Sequence, residues 1–332
     1  ASRVGLADET LVWLKSYLSE RVQSVSCCGP MSSNKPVTCG VPQGSVLGPL
    51  LFSIYTEPLE DVIKVHNIGY HFYADDTQLY LSFKPSERAS ATDKLNACLA
   101  DIRNWMSDNF RKLNDDKTEL LLIGHPKRTA SLADFTLTIG GTVVRPSPCA
   151  RNLGVLFDTG LTFNSFIQKT ASTAVLHIRS LARVRDYLPQ WLANDLVNSL
   201  VLSRLDYCNS LLAGLPKKSI KPLQLAQNMA SRLVFRAKKF DHVSPLLKEL
   251  RWLPVDLRIQ CKILTLTHKA SHNLAPTYLA ELLHKFQPAR VLRSSQGDQL
   301  GQPFFRLKTV RRQELLLCRS QTVELASTIL AQ

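Results

Sequence analysis

Two aspartates stand side by side in FYADDTQLY, residues 72–80. Adjacent carboxylates on a rigid turn can share a hard divalent cation, because Mg2+ takes oxygen ligands in octahedral geometry. Two such ions about 3.5–4 Å apart can activate a hydroxyl and steady a leaving oxyanion. The plainer alternative is a solvated turn, since the short Asp side chain bonds its own backbone there. Asp75 and Asp76 repel each other, so either water or a cation must screen them. A string this short can arise by chance, and its setting decides what it is worth.

Other chemistry-bearing residues offer less. His268 and His272 stand four apart on an expected helix, which is a metal-ligand spacing. No third ligand accompanies them, so solvated or capping histidines are the better reading. The second doublet, Asp115-Asp116, follows a helix end and reads as turn chemistry. RAKKF (236–240) and KTVRR (308–312) could meet phosphate but are too short to serve as nuclear signals. The eight cysteines show no C-x-x-C spacing, which argues against a zinc or disulfide framework and for a reducing compartment. Trp13, Trp105, Trp191 and Trp252 all lie in apolar patterns, and the core is their default place.

The elements around the Asp pair follow from periodicity. Tyr70 and Phe72 before it, and Leu79, Leu81 and Phe83 after it, alternate with polar neighbours and predict a hairpin with the carboxylates at its tip. Residues 8–25 predict an amphipathic helix, and 29–36 a loop or hairpin. In CGVPQGSVLGPLLFSIY (39–55), Gly40, Pro42 and Gly44 forbid regular structure, and Ser45 is a good N-cap for a helix carrying Leu47, Leu50, Leu51 and Ile54. Residues 91–110 repeat apolar positions on one helical face. LNDDKTELLLIG (113–124) reads as a turn into a strand, 135–144 as a hairpin bent at Gly-Gly, and 151–163 as another short strand pair. From about Ser165 the patterns are helical, with prolines at the breaks (Pro189, Pro216, Pro222, Pro245, Pro254 and Pro276). Beyond about Arg290 periodicity fades, which predicts a poorly ordered end.

A length of 332 residues bounds the chain at about two domains, on a prior of one per ~150 residues. No run approaches the ~18 apolar residues of a membrane span, and no signal peptide is visible. Residue 1 is Ala, which fits a sequence that begins inside a longer protein. Residues 161–290 hold 19 Lys and Arg against 7 Asp and Glu, an excess of 12 within a chain total of +14. A basic half joined to a nearly neutral half points to a polyanion held by one domain.

GVPQGSVLGPLLF, YADD, LNDDKTELLLIG and RNLGVLFD occur in that order. Together they resemble motifs B, C, D and E of the reverse transcriptase of non-LTR retrotransposons (long interspersed elements) of the jockey-like group. The stretches SRLDYCNSLLAGLP and LKELRWLPVDLRIQCKIL are similar to that family's thumb and its continuation, so the likeness covers roughly residues 5–295. The resemblance implies an α+β fold. A partial polymerase palm (1–160, antiparallel sheet with helices) precedes a basic, all-helical thumb-like domain (161–290) and a divergent tail (291–332). It implies that Asp75 and, more loosely, Asp76 ligate catalytic Mg2+, two ions being expected in an intact family member. Pro42, Gln43, Gly44 and Tyr73 would meet the incoming nucleotide and template, and the bare backbone of Gly44 allows close approach. Lys117 matches the lysine of motif D, a candidate proton donor to pyrophosphate; a plain surface charge is the competing reading. Leu153 and Gly154 match the primer grip. RNA template and DNA primer, as an RNA–DNA hybrid, are the implied partners. Their phosphates would lie on the basic helices.

The family's motif A aspartate and fingers find no match. Asp8 and Glu9 are preceded only by ASRVGLA, with no apolar strand. The expectation is therefore an RNA-directed DNA polymerase by ancestry whose 332 residues are catalytically silent alone. A non-catalytic nucleic-acid-binding remnant and a marginally folded fragment are the alternatives. An intracellular place, nuclear or cytoplasmic, is expected, and the oligomeric state is open.

Overall fold

A computed structural model describes residues 5, 7–26, 28–41, 44–124, 126–132, 134–284 and 300. The expected tail, with KTVRR, lies outside the described residues save for Leu300. Two compact units emerge: one gathers the chain up to Leu120 with Lys127–Pro146, the other Leu121–Pro126 and the chain from Ser147.

In the first unit, α1 (Asp8–Leu18) stops well short of Val25. Ser19 turns to extended backbone, Glu20 takes φ +51, and β1 (Val22–Gln23) pairs antiparallel with β2 (Lys35–Pro36). Ser45 does not cap α2 (Gly48–Thr56): its Oγ meets the Tyr17 hydroxyl at 2.9 Å, and the helix starts three residues later. Pro49 there fits a first turn, where its missing N–H costs nothing. α3 (Leu59–Val65), β3 (Gly69–Tyr73), β4 (Asp76–Tyr80) and α4 (Arg88–Asp108) follow. The apolar face read in 91–110 buries Ala91, Cys98 and Ile102. The strand expected within 113–124 shrinks to one parallel bridge from Leu120 to Pro146, a residue with no N–H to continue a ladder. After α5 (Pro126–Ala130), β5 (Leu137–Ile139) and β6 (Thr142–Val144) form the expected hairpin, with φ +56 and +88 at Gly140 and Gly141. Both positive angles suit a two-residue turn.

The second unit opens with the hairpin β7 (Cys149–Asn152) and β8 (Val155–Asp158). The Asp158 carboxylate accepts the N–H groups of Gly160, Thr162 and Phe163, which organises the approach to the next helix. Helices α6 (Asn164–Val184), α7 (Gln190–Val197), α8 (Ser203–Asp206), α9 (Lys217–Phe235), α10 (Val243–Glu249), α11 (Val255–Ser271) and α12 (Thr277–Ala280) complete it. Pro189, Pro216, Pro254 and Pro276 stand at N-caps as breaks should, whereas Pro222 and Pro245 lie inside α9 and α10. The core joins Ile167, Ala174 and Ile178 of α6 to Leu223, Ala230 and Val234 of α9 and to Ile259 and Ile263 of α11.

The architecture is α+β: helices with four separate two-stranded antiparallel sheets among the described residues. Among these residues no helix is long and apolar enough to cross a membrane. Trp252 is buried, but Trp13 and Trp191, expected in the core, are 56% and 66% exposed. Trp13 instead stacks on Tyr17 of α1, ring centroids 5.5 Å apart.

Candidate functional site

Leu59 and Ile63 of α3 pack with Cys98 and Ile102 of α4, and on this cluster rest Tyr70 and Leu79, directly paired across β3 and β4. The Tyr70 hydroxyl donates to Glu60 Oε1, and Lys64 lies 2.5 Å from the same oxygen. The Lys64 ammonium and then the Tyr70 hydroxyl hold the Glu60 carboxyl below its ordinary value. One face of the hairpin is thus fixed by apolar packing and by a polar tie to α3.

Strand alternation turns the opposite face outward, with His71 and Tyr73 beside Asp76, Gln78 and Tyr80. Tyr80 lies over Gly69, where an added Cβ would fall 2.2 Å from the ring, and stacks on His71 at 5.3 Å. Tyr73 pairs with Asp76, so Ala74 and Asp75 form a two-residue turn. Ala74 takes φ +53, a left-handed conformation that costs an L-residue about 1–2 kcal/mol. Strain of this kind gathers at sites where geometry matters.

Asp75 and Asp76 are exposed, and neither side chain meets a hydrogen-bond or ion-pair partner among the described residues. Two hard carboxylate donors on a braced turn fit part of a Mg2+ site. Among the described residues no group of three His, Cys, Asp or Glu side chains is placed to hold a metal ion.

The remaining sequence candidates lie on separate elements. Gly44, at φ +85 in an exposed turn, sits where other residues are strained, and open space lies where a Cβ would be. Pro42 and Gln43 fall outside the described residues. Lys117 is exposed at the end of a 3-10 turn, Asp115–Lys117, with its N–H on Asn114 O at 3.2 Å. Asp115 is bonded to Arg103 of α4 at 2.5 Å. That guanidinium holds the Asp115 carboxyl below its ordinary value, and the carboxylate raises Arg103 in return. The same Arg103 group lies where a side chain at Gly140 would go. Nothing in the sequence marks Arg103 as the anchor, because its partner is twelve residues away across a loop.

Leu153 and Gly154, at φ +45 and +85, make the turn of β7–β8 in the second unit. The Tyr207 hydroxyl donates to Leu153 O at 2.5 Å, and its ring lies 3.6 Å from the position of a Cβ on Gly154. Sequence reading missed Tyr207, although it stands inside the quoted SRLDYCNSLLAGLP. One residue earlier, the Asp206 carboxylate accepts from both Nε and Nη2 of Arg258 from α11, a bidentate pair. His272 bonds His268 O at 2.8 Å and the two rings stack at 4.1 Å, the arrangement of a helix end.

Comparison with known proteins gives these positions a context. A family profile described as reverse transcriptase (RNA-dependent DNA polymerase) matches residues 4–157. The chain is 26% identical over 246 residues to the "RNA-directed DNA polymerase from mobile element jockey" of Drosophila melanogaster, covering 72% of this chain and 26% of that protein. It is 26% identical over 310 residues to the "Probable RNA-directed DNA polymerase from transposon BS" of the same organism, covering 87% and 32%. A similar enzyme named for transposon X-element is 28% identical over 251 residues, covering 72% and 26%. The chain thus spans between a quarter and a third of the length of these relatives. No solved structure matches it.

Proposed function

We propose that this chain carries a reverse transcriptase domain related to those of non-LTR retrotransposons, and that Asp75 and Asp76 are two of the metal-binding carboxylates of an RNA-directed DNA polymerase. The observation that carries the reading is the exposed carboxylate pair at the end of the hairpin, Asp75 in its two-residue turn and Asp76 opening β4, braced from behind by α3 and α4. Bound Mg2+ would supply the positive charge that favours a primer 3′-oxyanion and a departing pyrophosphate. The chain's own residues do the placing. Asp75 and Asp76 hold the cation, and Tyr73, on the face of Asp76, lines the nucleotide site with Pro42, Gln43 and Gly44. Lys117 stands as proton donor to pyrophosphate, and Leu153 with Gly154 steadies the primer end. Residues 1–160 act as palm and 161–290 as thumb.

Nucleotidyl transfer by this device uses a third carboxylate, and the described residues place none with Asp75 and Asp76. The 332 residues are therefore proposed to be silent in polymerisation alone, while the basic helical part holds an RNA–DNA hybrid. A second reading, a nucleic-acid-binding remnant with no catalytic role in any setting, draws on the 12 surplus cations of residues 161–290.

The test is RNA-templated extension of a DNA primer with Mg2+, beside an Asp75→Ala control and a titration of hybrid binding against salt. The expected result is no extension with salt-dependent binding. Extension that disappears in the control would overturn the silence and leave the site assignment standing. Absence of hybrid binding would remove the duplex-holding role from both readings.

A further inference from the structure

Three aromatic rings stand out from the second unit beside a dense group of cations. Tyr187, in the turn after α6, and Phe240, in the loop after α9, are each 87% exposed, and Trp191 at the start of α7 is 66% exposed. Such rings are costly to leave in water, since each can bury roughly 150–250 Å2. Their loops are tied together. Arg236 Nη2 donates to the carbonyls of Arg185 and Asp186, both at 3.1 Å, directly before Tyr187. Arg232 donates to Asp241 O at 3.0 Å, and the Asp241 carboxylate accepts Lys238 N–H at 2.6 Å, which folds the Phe240 loop against the end of α9.

Charge follows the same outline. Residues 183–191 and 232–241 hold six Lys and Arg against two carboxylates, Asp186 and Asp241. Arg185 is buried and spent on carbonyls, but Arg183, Arg236, Lys238 and Lys239 are exposed. Asp186 offsets Arg236 only at 3.8 Å. Lys239 Nζ stands 5.5 Å from the Phe240 ring centroid, so the ring already accepts a cation on its face.

We propose that this end of the helical unit is a platform for single-stranded nucleic acid, in which unpaired bases stack on Tyr187, Trp191 and Phe240 while the exposed cations meet the phosphates. Exposed rings gain most from a partner with free aromatic faces, and a duplex keeps those faces stacked inside. Base–aromatic stacking tolerates any sequence and combines naturally with a basic track. An anionic membrane is the weaker fit, because surface-seeking helices offer one continuous apolar face. These rings come from a 3-10 turn, a helix start and a loop. The inference rests on the nucleic-acid reading above for the class of partner and not on catalysis or on hybrid binding.

The experiment titrates the full chain into labelled oligo(rU) of about 16 nucleotides, into a preformed RNA–DNA hybrid, and into phosphatidylserine vesicles. Tyr187→Ala, Trp191→Ala and Phe240→Ala change exposed side chains, and Tm is read alongside. Each is expected to weaken oligo(rU) binding roughly tenfold, with Tm and hybrid affinity unchanged. Lys238→Gln with Lys239→Gln should weaken oligo(rU) binding and flatten its salt dependence. Ring-dependent oligo(rU) binding without hybrid binding would sustain the platform while removing the duplex reading. Unchanged oligo(rU) affinity in all three ring variants would overturn it, as would equal losses for oligo(rU) and hybrid, or binding to vesicles alone.

Discussion

The Asp115 carboxylate lies 2.5 Å from the Arg103 guanidinium, and this one contact ties the turn bearing Lys117 to α4, the helix that backs the Asp75–Asp76 hairpin. Two elements read separately from the sequence therefore share a support. Arg103→Gln should free the turn, raising amide exchange at Lys117 and Thr118, whose N–H groups bond Asn114 O and Asp115 O. The pH dependence has a definite sign. Asp115 has a lowered carboxyl pKa in the fold, so its contribution is present above the unfolded carboxylate value and disappears as pH falls through the folded one. The acid limb of the protection profile should move toward neutral pH in Arg103→Gln; an unmoved limb would show that the pair does not hold the turn.

Ala74 offers a test of whether the Asp turn stores strain. Its φ of +53 is natural for glycine and expensive for a residue with a Cβ. Ala74→Gly should leave stability unchanged or raise it by up to about 1 kcal/mol, relief of strain being partly offset by unfolded-state entropy. Ala74→Val should cost about 1–2 kcal/mol or more, because a β-branched side chain is worst there. Urea unfolding of both variants reads the difference. Equal stabilities of the Gly and Val forms would mean that the turn does not hold this angle.

The hairpin was legible because its cause is local: alternation on both sides of a polar break, with Tyr70 and Leu79 turned to one face. The Gly- and Pro-bearing stretch before α2 was less so. Ser45 has the composition of an N-cap, but Tyr17, 28 residues away, takes its hydroxyl. Helix α1 ended early for a similar reason, since pairing of Val22 with Pro36 outweighed the helical spacing of Leu18 and Val22. Trp191 misled because its neighbours are apolar while the first turn of α7 leaves it in solvent. Arg103 and Tyr207 act through contacts 12 and 54 residues away, which no periodicity encodes.

Tyr207 fixes the turn carrying Leu153 and Gly154 through one hydroxyl and one ring contact. Tyr207→Phe removes the hydrogen bond and keeps the ring, so a loss of about 1 kcal/mol is expected. Hybrid affinity should fall with it if the turn touches the primer. Tyr207→Ala removes both contacts and should be worse in both respects. Stability lost with hybrid affinity intact would confine Tyr207 to a structural role and weaken the primer-grip assignment.

Arg185 carries the sharpest stability prediction. It is 7% exposed, and among the described residues no carboxylate is bonded to it. Its Nε, Nη1 and Nη2 donate to the carbonyls of Leu233, Leu188 and Val234 at 2.8, 2.7 and 2.6 Å. Leu233 and Val234 belong to the last turn of α9, where carbonyls run short of helical partners (Leu233 O also accepts the Arg236 N–H, at 3.3 Å) and the helix dipole favours a cation. Burial pulls the guanidinium below its ordinary pKa, and Arg236 adds to the pull, so the carbonyls must offset a desolvation cost. Arg185→Met would fill the space but abandon three acceptors, for an expected loss of about 3 kcal/mol. Arg185→Lys keeps a charge without the planar fork, and about 1–2 kcal/mol should be lost because a single ammonium cannot replace three nitrogens on one plane. The order wild type, Lys, Met in urea midpoint tests the account. A Met form as stable as the Lys form would mean that charge and hydrogen bonds contribute little and that the site is held by packing alone.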